Sequence, residues 1–353
     1  MSETPLSSSL IFSTHRVGGD SAPPVIVVGL PRSGSSFLAH LLSTLEGWYL
    51  FDDLYPYQKA QACGASGILS SQQLAKFVEA LAWATRARIK WERNFSAPQM
   101  TWEDVDKMEA AVRQVFEVEG GKWHEVLQEW MMRLAQHHNC TRWGYKTPQD
   151  FMHMEKLTRL FPGVKFVFIM RDPRKVMRSL KNLPNEKGGD GDRKQYHPIA
   201  YSLYWKMAYE RVQTFIDSGL APVHIIRFEE LVTEPDLQAQ TLAQFLGTTV
   251  SGPTEVKQGN SSFKSQQQIE MTDTECWICE KLAGATMVKA GYSLSQIRPR
   301  FRDIPELLRI STQFVWFQLH RATTDPEKRS SILAVATSFF RRTTPQTPKI
   351  EET

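Results

Sequence analysis

Short apolar runs and longer periodic segments alternate along the chain, and they predict strands that alternate with helices. The run Val25-Ile26-Val27-Val28 is continuous, β-branched and closed by Gly29, which is typical of a strand buried on both faces of a sheet. From Gly34 onward, apolar residues recur at helical spacing. Further runs of strand character lie at residues 143–146, 164–170 and 223–227. This alternation predicts an α/β fold with a parallel sheet flanked by helices on both faces.

Three helical patterns in succession interrupt the alternation. Thr101 with Asp104 resembles an N-terminal helix cap just before the second of them. The patterns have apolar residues at three- and four-residue spacing and cover residues 74–89, 105–118 and 126–134. We therefore predict a helical insertion in the α/β domain, at about residues 56–139.

The two ends of the chain differ from its middle. Residues 1–23 are rich in Ser, Thr and Pro and lack the basic-then-apolar order of a signal peptide, so we predict a disordered lead. The predicted domain covers residues 24–292, and a disordered tail covers 344–353. Between them, residues 293–343 form a predicted helical extension with patterns at 304–320 and 330–342. This extension could cover the core, mediate a homodimer or touch a membrane surface, and the sequence leaves these roles open.

Composition narrows the class of protein. Among 353 residues, 42 basic and 38 acidic side chains leave a net charge of +4, which is too small and dispersed to indicate nucleic-acid binding. Four cysteines do not make the disulfide framework of a small secreted domain, so we expect a cytoplasmic protein. No stretch approaches the roughly 20 apolar residues that span a bilayer, and we expect a soluble chain without a transmembrane segment.

The loop from Gly29 to Ser36 is the first candidate for chemistry. It joins the first predicted strand to a helix, where backbone N–H groups and the helix N-terminus attract an anion. The sheet is therefore of the P-loop type. Nucleotide triphosphatases have the form GxxxxGK[ST], but here Ser35 stands at the lysine position and Arg32 is the only cation in the loop. This argues against ATP or GTP hydrolysis and makes a P-loop kinase the weaker alternative.

Two separated motifs resemble those of the sulfotransferases that use 3′-phosphoadenosine 5′-phosphosulfate (PAPS). The first is the loop Pro31 to Ser36, and the second is Arg171-Asp172-Pro173-Arg174 with Ser179 in the following helix. The resemblance implies PAPS as donor co-substrate, with no metal required. It also implies that Arg171 and Ser179 bind the 3′-phosphate. The implied ligands of the 5′-phosphosulfate are Arg32, Ser33, Gly34, Ser35 and Ser36.

Three shorter segments extend this resemblance to about residues 24–292. They begin at Gly144, Arg227 and Asn260. Within them, Lys146 matches the family's catalytic lysine, which stabilises charge on the oxygen between phosphorus and sulfur. The resemblance further implies that Arg227, Ser261 and Ser262 bind the donor.

The candidate base is a carboxylate. Pro148 occupies the place of the histidine base of the cytosolic sulfotransferases, so the chain is more similar to the branch that contains the tyrosylprotein sulfotransferases. Asp53, twenty-one residues after Arg32, falls at the position of that branch's glutamate base, and Asp52 is its neighbour. A carboxylate near its usual pKa of about 3.9 is a weak base, so the site must either raise the pKa or rely on positioning.

The resemblance implies in-line displacement at sulfur. Asp53 accepts the acceptor's proton, while Arg32, Lys146 and a serine of the 261–262 pair stabilise the leaving nucleotide. The expected acceptor is a hydroxyl or amine of a small molecule, selected by inserted segments rather than by the motifs. A nucleotide kinase, or a non-catalytic scaffold that retains the PAPS-binding fold, is the alternative.

Overall fold

The computed structural model describes residues 13–17, 22–90, 100–183, 193–251 and 269–324. It divides into two units, one made of Met1–Asp172 with Ala208–Asn260 and the other of Pro173–Met207 with Ser261–Thr353. The domain boundary that we place at residue 292 stays a prediction. Among the described residues, no helix combines the length and apolarity needed to cross a bilayer.

Five parallel strands form one sheet in the first unit. The strands are β1 (Val25–Gly29), β2 (Trp48–Asp52), β3 (Arg142–Lys146), β4 (Lys165–Met170) and β5 (Val223–Arg227). Their order is β2-β3-β1-β4-β5, and every neighbouring pair is parallel. The predicted α/β fold is thereby confirmed. Since the strands are parallel, their carboxyl ends meet at one edge, where the residues that follow them converge.

The described residues form twelve α-helices. They are α1 (Ser35–Leu42), α2 (Pro56–Ala62), α3 (Ser71–Lys90), α4 (Trp102–Glu119), α5 (Trp123–His137), α6 (Met154–Leu160), α7 (Pro173–Lys181), α8 (Pro198–Asp217), α9 (Phe228–Thr233), α10 (Pro235–Leu246), α11 (Asp273–Lys289) and α12 (Ile304–Thr324). Short 3-10 turns lie at Pro148–Met152, Arg193–Gln195 and Phe301–Asp303. The predicted pattern at 330–342 lies outside the described residues.

The helical insertion is confirmed as α2 to α5. At the start of α4, Thr101 Oγ1 accepts a hydrogen bond from Asp104 N at 3.2 Å, and Asp104 Oδ2 accepts one from Thr101 N at 2.9 Å. This reciprocal cap satisfies two of the helix's otherwise unpaired N–H groups. The helix α3 buries a stripe of side chains that includes Phe77, Val78 and Leu81. Its last turn carries Arg88, which is also buried.

One hydrophobic cluster fixes β1 against the helices on one face of the sheet. Val25 and Val27 of β1 point into it, together with Leu38 and Leu42 of α1 and Leu242 of α10, and all five are completely buried. Burying an aliphatic side chain of this size contributes about 1.5–3 kcal/mol. The cluster therefore holds the start of α1 firmly at the end of β1, which fixes the loop between them.

A buried polar cluster holds the second unit together. Glu275 of α11 accepts hydrogen bonds from Lys181 Nζ and from the Tyr196 hydroxyl, both at 2.8 Å. Its carboxylate also accepts from the backbone N of Thr272 at 2.7 Å, which caps α11. Because Glu275 is only 1% exposed, these three donors replace the water that it loses.

Candidate active site

The loop between β1 and α1 is a tight turn with two left-handed residues. Ser33 N donates to Leu30 O at 3.1 Å, and Arg32 has a φ of 72°. Gly34, at φ 93°, is the N-cap of α1, and a Cβ built on it would lie 2.1 Å from the ring of Phe228. Among the residues that the structure describes, no side chain caps α1, and the first turn of this helix contains no acidic residue. This arrangement suits a bound anion, which satisfies the first N–H groups of the helix.

Ser33 adds a polar atom to the loop. Its hydroxyl is completely buried, and Oγ has no hydrogen-bond partner among the residues that the structure describes. A buried hydroxyl without a partner costs free energy, so a ligand oxygen bound in the loop would stabilise it.

The two candidate carboxylates lie at the end of β2. Asp52 is the last residue of that strand and is paired in register with Lys146, the last residue of β3. Lys146 Nζ lies 2.7 Å from Asp52 Oδ1 and also contacts Asp53 Oδ1. Ser36 Oγ donates to Asp52 Oδ1 at 3.4 Å, which connects α1 to the pair. The structure thus brings Asp53 and Lys146 together, next to the β1–α1 loop.

Arg88 of α3 is a second cation at the carboxylates, and sequence reasoning missed it. Its Nη2 lies 3.2 Å from Asp53 Oδ2 and its Nη1 lies 3.8 Å from Asp52 Oδ2. The Arg88 side chain is only 9% exposed. A signal for it exists in the sequence, because Arg88 lies eleven residues after Phe77 and so falls on the apolar face of its helix.

The two cations control the proton affinity of Asp53. Burial favours the neutral carboxyl, but the charges of Lys146 and Arg88 and their hydrogen bonds outweigh burial, so the pKa of Asp53 lies below its ordinary value. Desolvation therefore does not make Asp53 a stronger base in this arrangement. Its carboxylate is ionised at neutral pH, and positioning is the remaining way for it to act as a base.

The backbone beyond β2 is held in an unusual conformation. Asp53 and Tyr55 have φ values of 58° and 53°, in the left-handed region that non-glycine residues rarely adopt. Tyr55 N donates to Thr147 Oγ1 at 3.0 Å, so the segment after β3 anchors this turn. Such strain persists only where surrounding contacts impose it, as they do here beside the carboxylates.

Arg171 connects the end of β4 to the loop. Its Nη1 donates to the backbone O of Arg32 at 3.2 Å, and its guanidinium carbon lies 4.3 Å from the centroid of the Phe228 ring. Arg171 and Arg32 are therefore neighbours at the sheet edge. Arg227, at the end of β5, lies 3.7 Å from Glu230 in a half-exposed ion pair.

Three of the predicted residues remain. Ser179 lies on α7 in the second unit and is buried. Ser261 and Ser262 lie outside the described residues.

A further buried carboxyl follows β3 and was also missed. Asp150 lies in the 3-10 turn after Thr147, and Gln58 Nε2 donates to its Oδ1 at 3.2 Å. Burial raises the pKa of Asp150 to about 7, although the bond from Gln58 acts in the opposite direction. Near neutral pH, this carboxyl is therefore partly protonated while Asp53 is fully ionised.

Comparison with known families identifies the family of this chain. The model of the sulfotransferase family matches residues 23–252, and the chain belongs to that family.

Solved structures of sulfotransferases are similar over most of the chain. The sulfotransferase domain from the curacin biosynthetic pathway is 17% identical, with a TM-score of 0.42, over 84% of this chain and 99% of that one. A sulfotransferase from Mycobacterium avium is 13% identical, with a TM-score of 0.43, over 78% of this chain and 79% of that one. A sulfotransferase from Mycobacterium tuberculosis H37Rv is 14% identical, with a TM-score of 0.39, over 75% of this chain and 77% of that one. These likenesses are too distant to carry an argument about the site. Comparison with curated proteins gives no match.

Proposed function

We propose that this sulfotransferase moves the sulfuryl group of PAPS to a hydroxyl or amine of a small-molecule acceptor, with Asp53 as the base. The observation that carries the proposal is the contact of the Asp53 carboxylate with Lys146 at the carboxyl edge of the sheet, beside a helix N-terminus that no described side chain caps. A proton acceptor and a cation that can stabilise a leaving group are thereby placed at one anion-binding loop.

The residues present fit the donor. The first turn of α1 has no side-chain cap, and the Ser33 hydroxyl lacks a partner in the described part of the chain, so phosphosulfate oxygens have N–H and O–H donors to meet. Arg32 supplies positive charge in the same loop, and Ser35 and Ser36 begin the helix. For the 3′-phosphate we assign Arg171 and Ser179. From the family resemblance alone we add Arg227 and the pair Ser261 and Ser262.

In the proposed reaction, the acceptor oxygen or nitrogen attacks sulfur in line with the sulfur–oxygen bond to the 5′-phosphate. As that bond breaks, the acceptor's proton moves to Asp53, and adenosine 3′,5′-bisphosphate leaves with the bond's electron pair. Lys146 and Arg32 stabilise the charge that develops on the leaving oxygen. Lys146 already pairs with Asp52 as well as Asp53, so Asp52 remains its partner when Asp53 takes up the proton.

Donor binding and turnover test the proposal separately. In calorimetric titration, we expect adenosine 3′,5′-bisphosphate to bind without magnesium and ATP not to bind. Mass spectrometry of hydroxyl and amine compounds incubated with PAPS should reveal a product that has gained a sulfuryl group. Magnesium-dependent ATP binding would support the kinase alternative and overturn the proposal. PAPS binding without transfer to any acceptor would support the scaffold alternative.

The variant Asp53→Asn identifies the base. We expect it to bind adenosine 3′,5′-bisphosphate as the wild type does and to lose turnover by about 10²–10⁴-fold, the usual contribution of general base catalysis. Asp52→Asn is the matched control, because Asp52 shares Lys146 and Arg88 but is more deeply buried. Its loss of turnover should be smaller. The assignment to Asp53 is wrong if Asp52→Asn is the more severe change.

A further inference from the structure

We propose that Arg88, from the helical insertion, is a positioning residue that holds the Asp53 carboxylate for proton transfer. The inference rests on the proposed function, since it assigns a partner to the proposed base. Arg88 lies in α3, far along the chain from the motifs of the loop, of Lys146 and of Arg171.

The two oxygens of Asp53 have different partners. Oδ1 contacts Lys146 and lies 3.5 Å from the Tyr55 hydroxyl, whereas Oδ2 lies 3.2 Å from Arg88 Nη2. Asp52 repeats this division, with Oδ1 at 2.7 Å from Lys146 and Oδ2 at 3.8 Å from Arg88. The four side chains therefore alternate in charge and sum to zero. Without Arg88, two adjacent carboxylates would share a single cation and repel each other.

Burial shows that Arg88 is placed for these carboxylates. The surrounding face of α3 is apolar, with Phe77, Leu81 and Ala84 buried. A guanidinium that is 9% exposed loses most of its hydration. Replacing a buried ion pair by apolar residues often leaves the stability of a protein unchanged or raises it. The contact of Nη2 with Asp53 and the charge of Asp52 supply part of the compensation, while Nη1 is buried without a hydrogen-bond partner among the described residues. Through this contact the insertion takes part in the proposed chemistry.

The geometry of the guanidinium explains why an arginine suits this role. Asp53 follows the end of β2 on a left-handed backbone, so the strand's hydrogen bonds do not fix its side chain. The planar guanidinium directs Nη2 at Asp53 and Nη1 toward Asp52, whereas a lysine ammonium provides charge at one point. With Arg88 on Oδ2 and Lys146 on Oδ1, both oxygens of the carboxylate have a cationic partner, and the side chain stays 24% exposed among the described residues.

Two substitutions separate the charge of Arg88 from its geometry. In Arg88→Met, the Asp53 carboxyl loses a cation and its pKa rises, so the acid limb of the kcat/KM profile moves to higher pH. We expect the plateau of kcat to fall by about tenfold to a hundredfold, since misplaced catalytic groups lose rate on this scale. Arg88→Lys should return the acid limb toward its wild-type pH and leave the plateau low.

Arg86→Met is the matched control. Arg86 lies on the same helix but pairs with Glu109 at 2.9 Å and with the exposed Asp106, remote from the β2 carboxylates. Its substitution should change neither the acid limb nor the plateau. Calorimetric titration with adenosine 3′,5′-bisphosphate establishes that each variant is folded. Equal rate losses in Arg86→Met and Arg88→Met, with an unmoved acid limb in both, would overturn the proposal in favour of a merely structural role.

A second readout does not depend on activity. Carbon NMR of labelled aspartate carboxyls, with the Asp53 signal assigned by its loss in Asp53→Asn, should show Asp53 titrating at higher pH in Arg88→Met than in the wild type. An unmoved titration contradicts the proposal. If the wild type transfers no sulfuryl group, the proposed function is wrong. The carboxyl titration then still tests whether Arg88 contacts Asp53.

Discussion

At the scale of single residues, Gly34 lies in the left-handed backbone region and directly against the ring of Phe228. Its φ of 93° strains any other residue, and an added Cβ would meet the ring at 2.1 Å. Gly67 has a similar φ of 73°, but no atom of the described residues lies within 4 Å of its Cβ position. The pair therefore separates backbone strain from steric conflict.

We expect Gly67→Ala to lower the free energy of unfolding by about 1 kcal/mol, the cost of strain alone. Gly34→Ala should lower it by more, because the Phe228 ring has to move. That ring also packs against Arg171, so Gly34→Ala should weaken the binding of adenosine 3′,5′-bisphosphate while Gly67→Ala leaves it unchanged. Urea unfolding and calorimetry measure the two effects. Equal losses of stability in both variants would show that the Phe228 ring moves aside without a cost in free energy.

The site residues that the sequence predicts are those carried by local motifs. The contact of Asp53 with Lys146 follows from two strands that end side by side. Arg88 and Asp150 have no such motif, because their roles depend on which buried surface the insertion and the 3-10 turn meet. A charged residue on an apolar helix face is visible in a sequence, but its partner is set by tertiary packing.

At the scale of secondary-structure elements, β2 is the strand that the pattern did not predict. Its apolar run, residues 48–51, is as short and continuous as that of β1, yet such a run does not distinguish a strand from a buried helical turn. The long helices were predicted because their periodicity extends over several turns. Because Asp52 is the last residue of this strand, the sequence did not predict that Asp52 and Lys146 lie side by side.

The 3-10 turn after β3 makes folding stability depend on pH. Its Asp150 has a pKa raised by burial to about 7, so between its unfolded value and about 7 the folded state holds a proton that the unfolded state releases. The contribution of Asp150 to the free energy of unfolding is fully present below the pKa of the unfolded state. It is lost as the pH rises toward 7, by at most about 1.4 kcal/mol per pH unit.

Asp150→Asn removes this titration. We expect the variant to gain stability relative to the wild type as the pH rises from about 4 to about 7, with no further gain above that range. Urea unfolding at several pH values measures the difference. Asp217→Asn, at the exposed end of α8, is the control, since solvent screens its side chain. A constant difference between wild type and Asp150→Asn across the range would contradict a buried, neutral Asp150.

At the scale of the whole molecule, the two units are stabilised by different means. The first has the parallel sheet with its aliphatic cluster, and the second has Glu275 with its buried donors. A chain of this kind need not unfold in a single step, and the free energy of unfolding that Gly34, Gly67 and Asp150 affect is that of the first unit. Local measurements are therefore needed to follow each unit.

Glu275→Ala tests how far the second unit depends on its polar cluster. The change leaves the Lys181 ammonium, which is only 6% exposed, without its carboxylate, and breaking a buried ion pair in this way costs about 3–5 kcal/mol. We expect hydrogen exchange to accelerate in α7 and α11 and to stay at the wild-type rate in β1 and β4. Glu306→Ala is the control, because its pair with the half-exposed Arg309 contributes at most about 1 kcal/mol. If β1 and β4 accelerate as much as α11, the chain unfolds as one cooperative unit, and the polar cluster then stabilises the sheet as well.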